Sequence, residues 1–285
     1  LEKDGPTVIE IPPDVLGILD DGNMRYLSDT GAAGPDKGKG GKYLVLPPEY
    51  EGDVPDGYFV VKSTSNVVWN FMRGYVRGSV MNPADVKKAA DNIKSNLKVY
   101  PLSRKDNPPK MEFINISGKY YNTIPPNDFS YFERLNEVIQ KEPIDFIGPE
   151  TRGKIAAIGI VKGKPFNPDA RMKRLLTEAV AIGNAYAPAN TVFPRDLGHR
   201  YYPETDSEWI MAFPEKDAFF LKDGIRRIDA RLWMHYNAVC VTPAMAGIKP
   251  GVGSDYGIAG LDSKHQPLDG AKTYKMHLPP NVPAK

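Results

Sequence analysis

Through its first hundred residues the chain alternates short apolar or aromatic stretches with turn-forming clusters. VIEI at 8–11, KYLVL at 42–46, YFVVKS at 58–63 and NVVWNFMRGYV at 66–76 are β-branched or aromatic runs bounded by Pro-Pro, DVPDG and RGS. Such runs between such breakers predict strands. One helix interrupts the series: Asn82 is placed to cap it, Pro83 to occupy its first position, and Val86, Ala89, Ala90, Ile93 and Leu97 fall on one face. KVYPL at 98–102 and KMEFINIS at 110–117 then read as two further strands.

The period changes in the middle of the chain. Asp128 can cap a helix that turns Phe129, Phe132, Leu135 and Val138 inward and ends before Pro143, and Asn167-Pro168 opens another with Met172, Leu175, Leu176, Ala179, Val180 and Gly183 aligned. After Pro188 strand-like runs return as TVFPRD, SEWIMAF and AFFLKDG. GIRRIDARLWMHYNAVCV at 224–241 carries Ile225, Ile228, Leu232 and Tyr236 at helical spacing and reads as a helix. The stretch YGIAGLDSKHQPLDGAKTYKMHLPP reads as a hairpin with TYKMHL as its second strand. The sum is an α+β, mostly β chain, in which a β-sandwich or barrel is the economical form for the first part and the helices form a connector.

Composition narrows this picture. At 285 residues the chain is long enough for one large domain or two ordinary ones, and two are expected. A hydrophobic share of 41% with 25% charged residues is that of an ordinary folded protein and argues against disorder. The net charge of +2 supplies no concentrated basic face, so nucleic acid is not an expected partner. The single cysteine, Cys240, excludes an internal disulfide and lies in the apolar run NAVCV, where a buried, inert thiol is expected. No stretch reaches the roughly 18 consecutive apolar residues of a membrane-spanning helix.

GPDKGKGGKYLVLPPEY at 34–50 invites a phosphate-binding reading, and its spacing rejects it. A GxxxxGK[ST] loop ending at Gly41-Lys42 needs glycine where Asp36 stands and Ser or Thr where Tyr43 stands, and GxGxxG fails at Tyr43 as well. A glycine turn feeding a strand is the favoured reading, with Lys37, Lys39 and Lys42 kept as a weak anion-binding rim. The four histidines show no metal-ligand spacing and no cofactor is expected. Asp20-Asp21 reads as turn chemistry or surface charge, and no GxSxG elbow is present. The leading pocket candidate is the proline-bounded segment FPRDLGHRYYPETDSEW, which concentrates Arg195, Asp196, His199, Arg200, Tyr201, Tyr202 and Trp209 with Glu204 and Asp206. Aromatic faces beside carboxylates and guanidinium groups suit a sugar or other polar ligand. The competing reading is a contact that fastens the helical connector to the second β unit.

Two segments carry a family resemblance. DKGKGGKYLVLPPEYEGDVPDGYFVVKS resembles domain-of-unknown-function family 1254, and GLDSKHQPLDGAKTYKMHLPPNVP resembles family 1214, which usually follows it in the same chain. The resemblance implies two β-sandwich, jelly-roll-like units joined by helices, with boundaries at 1–126, 127–190 and 191–285, in proteins often exported by bacteria. It implies a periplasmic or secreted location, although a single cysteine fits the cytoplasm equally, and it supplies no catalytic residue. Family members extend further at the start and continue past the segment matching HLPPNVPAK into strands with a Phe-Trp pair and a Tyr-Asp, so the chain is expected to be a fragment of such a protein. The expected role is ligand binding or assembly, with an unknown small molecule or glycan as ligand and self-association through open sheet edges. The alternative is a hydrolase or lyase acting on a polar or glycan-like substrate by general acid–base chemistry.

Overall fold

Val8 and Ile9 project to opposite faces of one strand, yet both are buried, at 0% and 6% exposure. A computed structural model describes residues 1–194, 200–247 and 256–278, and it explains this two-sided burial. Strands β1 (Thr7–Ile11), β2 (Val15–Asp21), β3 (Tyr26–Gly31), β4 (Gly41–Leu46), β5 (Phe59–Lys62) and β6 (Val68–Gly74) are followed by helix α1 (Pro83–Asn96) and strand β7 (Lys98–Pro101). They form a four-stranded sheet of order β5-β4-β1-β7, parallel only between β4 and β5, and a three-stranded antiparallel sheet of order β3-β2-β6. Ile9, Ile11, Tyr43 and Val45 of the first sheet share a core with Val15 and Leu19 of the second, closed by Ile93 and Leu97 at the end of α1. Val8, Leu44, Leu46 and Tyr100 fill a separate cluster on the opposite face under Tyr50 and Tyr58. KYLVL is therefore apolar at successive positions because both faces of its strand are covered.

β2 and β3 are absent from the sequence reading because their composition opposes strand propensity. VLGILDD contains a glycine and two aspartates, and YLSDTG is mostly polar. Their glycines are fixed by geometry: a Cβ on Gly17 would sit 2.9 Å from the Phe71 carbonyl oxygen, and Gly31, at φ +70°, would place one 2.0 Å from that of Val15.

The middle of the chain is helical. α2 (Ser130–Lys141), α3 (Pro149–Ala157) and α4 (Ala170–Val192) follow one another. Asp169 caps α4 by accepting the Met172 N–H at 2.7 Å, and the helix continues through Pro188, taking in the first two residues of the expected strand TVFPRD. Lys162 Nζ donates to the carbonyls of Gln140 and Glu142 at 2.7 and 2.6 Å, satisfying the C-terminal end of α2. Glu142, 3% exposed, accepts the N–H groups of Asn66 and Val67 and so ties α2 to the β5–β6 loop.

The C-terminal part contains β8 (Ile210–Met211), β9 (Leu221–Lys222), β10 (Ile225–Arg226), α5 (Ile228–Asn237), α6 (Pro243–Ala246) and β11 (Gly257–Ile258). Its strands are two residues long, and its core of Phe213, Phe220, Trp233, Met234 and Val241 is built on α5 and the loops around it. The Trp233 indole donates to the Thr191 carbonyl at the end of α4, and Tyr186 and Asn190 of α4 donate to Asp229 of α5. The described residues thus form a mixed α/β structure with six helices and no closed barrel, in which helix occupies more of the chain than strand. The expectation of a mostly β chain is corrected on this point. Among the described residues KMEFINIS enters no sheet, and TYKMHL forms no strand, β11 pairing with β8 instead. Residues 224–227 enter the short ribbon β9–β10, so the expected helix begins later.

The C-terminal core meets the outer face of the three-stranded sheet through buried carboxylates. Asp20 is fully buried and accepts the Val241 N–H at 3.2 Å, while its Oδ1 has no partner among the described residues. Asp29, 4% exposed, accepts the Thr242 hydroxyl. Burial pushes Asp20 up from 3.8 to about 7, against the pull of the Val241 N–H and with the help of nearby Asp21 and Asp29. The stabilising contribution of protonated Asp20 is fully present below about pH 4 and is lost as pH rises through about 7. In urea titrations across this window, Asp20→Asn should flatten a decline on the order of 2–4 kcal/mol. A variant profile parallel to that of the wild type would refute the assignment.

Candidate functional site

A cleft of about 240 Å³ lies between the C-terminal end of α4 and the segment that leads into β8. Val192, Phe193, Pro194, Ile210 and Leu261 supply apolar walls, with Arg200 and Glu208 as charged groups and Thr191 and Gly260 completing the lining. The segment folds back on itself: Arg200 bridges to Ile210, and the Tyr201 N–H donates to the Trp209 carbonyl at 2.8 Å. β8 then pairs with β11, with Ile258 opposite Ile210, which brings residues 260 and 261 to the cleft.

Its polar side is built around Glu208, whose side chain is only 9% exposed. Arg200 Nη2 lies 3.3 Å from Glu208 Oε2, and His265 Nδ1 lies 2.6 Å from Glu208 Oε1. Both carboxylate oxygens therefore have a partner, one cationic and one imidazole. His265 itself is 64% exposed and occupies a left-handed turn at φ 56°. That turn is organised by Asp262, whose Oδ1 accepts the N–H groups of Lys264 and Gln266 at 2.8 and 3.0 Å. These backbone bonds hold the Asp262 carboxyl below its ordinary range. With Nδ1 against the carboxylate, the imidazole presents Nε2 outward, an arrangement suited to proton transfer or to donating a hydrogen bond.

Of the pocket residues expected from sequence, Arg200 lines this cleft. Tyr201 and Trp209 pack on Gly257 instead, where an added Cβ would sit 3.4 Å from each ring. Tyr202 is 49% exposed, its ring 6.3 Å from that of Tyr201. Arg195, Asp196 and His199 lie outside the described residues. Glu208 and His265 were not anticipated. They are 57 positions apart, and the available hint is a charged residue held between Ser207 and the aromatic Trp209 at the start of an apolar run.

The glycine-rich turn is organised by its buried acid rather than by its lysines. Asp36 accepts the N–H groups of Gly31 and Gly40 at 2.8 and 3.1 Å together with the Tyr43 hydroxyl. Lys37, Lys39 and Lys42 are exposed around it, and Lys42 Nζ lies 3.9 Å from Glu10. Asp20 and Asp21, expected to serve turn chemistry or surface charge, are both fully buried, so the surface reading is corrected while the turn reading fits Asp21. Asp21 organises the β2–β3 turn by accepting the N–H groups of Asn23 and Arg25 and pairing with the Arg25 guanidinium at 2.6 Å. Burial raises the Cys240 thiol, with Asp20 adding to the effect, which makes a reactive thiolate unfavourable. His235 is lowered by burial and by the Arg231 charge. Among the described residues no group of three or more His, Cys, Asp or Glu is placed to hold a metal ion, and no helix is long and apolar enough to cross a membrane.

Residues 1–101 match the family described as "Protein of unknown function (DUF1254)". That span ends at β7 and contains both N-terminal sheets. A search among curated proteins finds no match. Among solved structures, the chain is similar to the VPA0106 protein from Vibrio parahaemolyticus, with a TM-score of 0.52 and 17% sequence identity. The alignment covers 82% of this chain and 53% of that one, so the chain spans about half the length of this structural relative. At that identity the likeness concerns the fold.

Removing the carboxylate would leave Arg200, partly buried, without its acidic partner. Glu208→Ala should lower unfolding free energy by about 1–3 kcal/mol, and Glu208→Gln by less because it preserves an acceptor for His265. Equal losses for the two variants in chemical denaturation would show that the pairing has no such role.

Proposed function

We propose that the chain is a binding protein that takes a small ligand with an apolar body and a polar edge into the cleft beside Arg200 and Glu208. The observation that carries this reading is the combination of apolar walls with a half-buried guanidinium and a nearly buried carboxylate in one cavity. Arg200 belongs to a residue type with five N–H donors, and its contacts to Glu208 and to the Ser207 carbonyl use two nitrogens. A ligand carboxylate, hydroxyl or ring oxygen would complete such a fork, while Phe193 and Leu261 would cover a sugar or aromatic ring. In this reading the two N-terminal sheets make one β-sandwich unit, and residues 191–285, which resemble family 1214, make a second unit that carries the ligand. The resemblance also supports export from a bacterial cytoplasm.

A second reading follows from the short Glu208–His265 contact. A carboxylate that orients an imidazole through Nδ1 prepares Nε2 to accept or deliver a proton, as a hydrolase or lyase acting on a polar substrate requires. Ligand-observed NMR with a panel of monosaccharides, uronic acids and aromatic carboxylates distinguishes the readings. Binding should weaken at least about tenfold in Arg200→Ala, a change of about 1.4 kcal/mol, and remain unaltered in Lys37→Ala. A binder returns its ligand unchanged after prolonged incubation. Turnover that His265→Ala abolishes while binding persists would favour the enzyme, and an affinity indifferent to Arg200 would reject the cleft.

A further inference from the structure

Asn190 belongs to the hydrogen bonds that join α4 to α5, and half of its amide is unused. The residue is buried, at 2% exposure, in the last turn of α4, although asparagine has low helix propensity. Tyr186 Oη donates to the Asp229 carboxylate at 2.8 Å, and Asn190 Nδ2 donates to the Asp229 carbonyl at 3.0 Å. These bonds fix which way the amide points, because the reverse orientation would set Oδ1 against a carbonyl oxygen. Oδ1 itself is buried and has no hydrogen-bond partner among the described residues. An acceptor taken from water without a donor to replace it is costly.

The same side chain lines a hollow of about 10 Å³ between the end of α4, β8 and the start of α5. That is room for one group the size of a water molecule. What enters must donate a hydrogen bond, since Oδ1 can only accept, and it must suit walls that include Ala212, Ala230 and Trp233. A hydroxyl meets both conditions. A carboxylate is too large and, when ionised, has no donor, and a methyl group has none at all. Pro194 and Ile210 line this hollow and the larger cleft beside Arg200 alike. Consecutive residues of α4 serve the two, Asn190 the hollow and Thr191 and Val192 the cleft.

We propose that the hollow at Asn190 is the inner end of the cleft and seats a single hydroxyl, supplied by water in the free protein and by a polyhydroxylated ligand in the occupied one. Asn190 then selects ligands that carry a hydroxyl at that position, a role that rests on the cleft binding a ligand beside Arg200 in the first place. A site built to pair a ligand hydroxyl rejects the analogue that lacks it, because its own polar atom is left without a partner. The test titrates each monosaccharide and uronic acid of the panel, and its monodeoxy analogues, against the 285-residue chain by ligand-observed NMR. For a sugar whose binding depends on Arg200, removal of one hydroxyl should weaken binding at least about tenfold, and Asn190→Leu should bind the parent and that analogue alike. A crystal structure of the free protein should hold one water about 2.7–3.2 Å from Asn190 Oδ1, replaced by that hydroxyl in the complex. Should Asn190→Leu fail to fold, the deoxy series and the water decide on wild-type protein. A dry hollow, deoxy analogues that all bind like their parents, or a discrimination that survives Asn190→Leu would each overturn the proposal. So would a cleft that takes aromatic carboxylates through Arg200 but no sugar or uronic acid, a result that leaves the cleft itself standing. Affinities indifferent to Arg200→Ala reject the cleft and the hydroxyl site together.

Discussion

Asp20 and Asp29 carry two carboxylates into the layer between the three-stranded sheet and the C-terminal core, where water does not reach them. Such groups are tolerated only when hydrogen-bonded or neutral. Their partners come from a backbone N–H and a hydroxyl more than two hundred positions downstream, at Val241 and Thr242. This requirement fixes where the segment after α5 must lie. It also draws α5 against the β2–β3 turn, where Arg231 Nη2 donates to the Asn23 carbonyl at 3.2 Å. With α5 held there, α4 packs against it through Tyr186, Asn190 and the Thr191 carbonyl, and the end of α4 becomes one wall of the cleft. Tyr26 responds to the same layer: its hydroxyl accepts the Asp29 N–H, and burial together with the Asp29 charge pushes it up to about 12.

What could be read from sequence was whatever depends on local pattern. β1, β4, β5, β6, β7 and α1 were visible because β-branched runs, turn residues and the Asn82-Pro83 start each act within a few positions. β2 and β3 were not, since a strand holding Gly17, Asp20 and Asp29 is stabilised by what packs on it and not by its own propensity. KMEFINIS shows the converse: it has strand propensity but enters no sheet among the described residues. The C-terminal strands are fixed by pairing over long separations, and such pairing overrode the expected hairpin.

The site was half legible for the same reason. Arg200 stood out in a segment crowded with aromatic and charged side chains, and it does line a cavity. Glu208 and His265 acquire meaning only once the β8–β11 pairing and the Asp262 turn have brought them together. The lysines of the glycine-rich turn attract attention in sequence because they are numerous, whereas the geometry there is set by Asp36, which a search for cation-rich loops passes over. The N-terminal family match ends before this cleft begins, so the match says nothing about what enters it.

The helical stretch from α2 to α4 differs from the sheets in how little it buries. Phe146, Ile160 and Leu176 are its fully buried apolar side chains, and most of α4 before Tyr186 is exposed. Local stability follows buried contacts, so the exposed part of this stretch is expected to open at lower free energy than the two N-terminal sheets. The carbonyls at the end of α2 would be released first if Lys162 lost its place, which makes one lysine ammonium the hinge between two regimes of stability in the same chain.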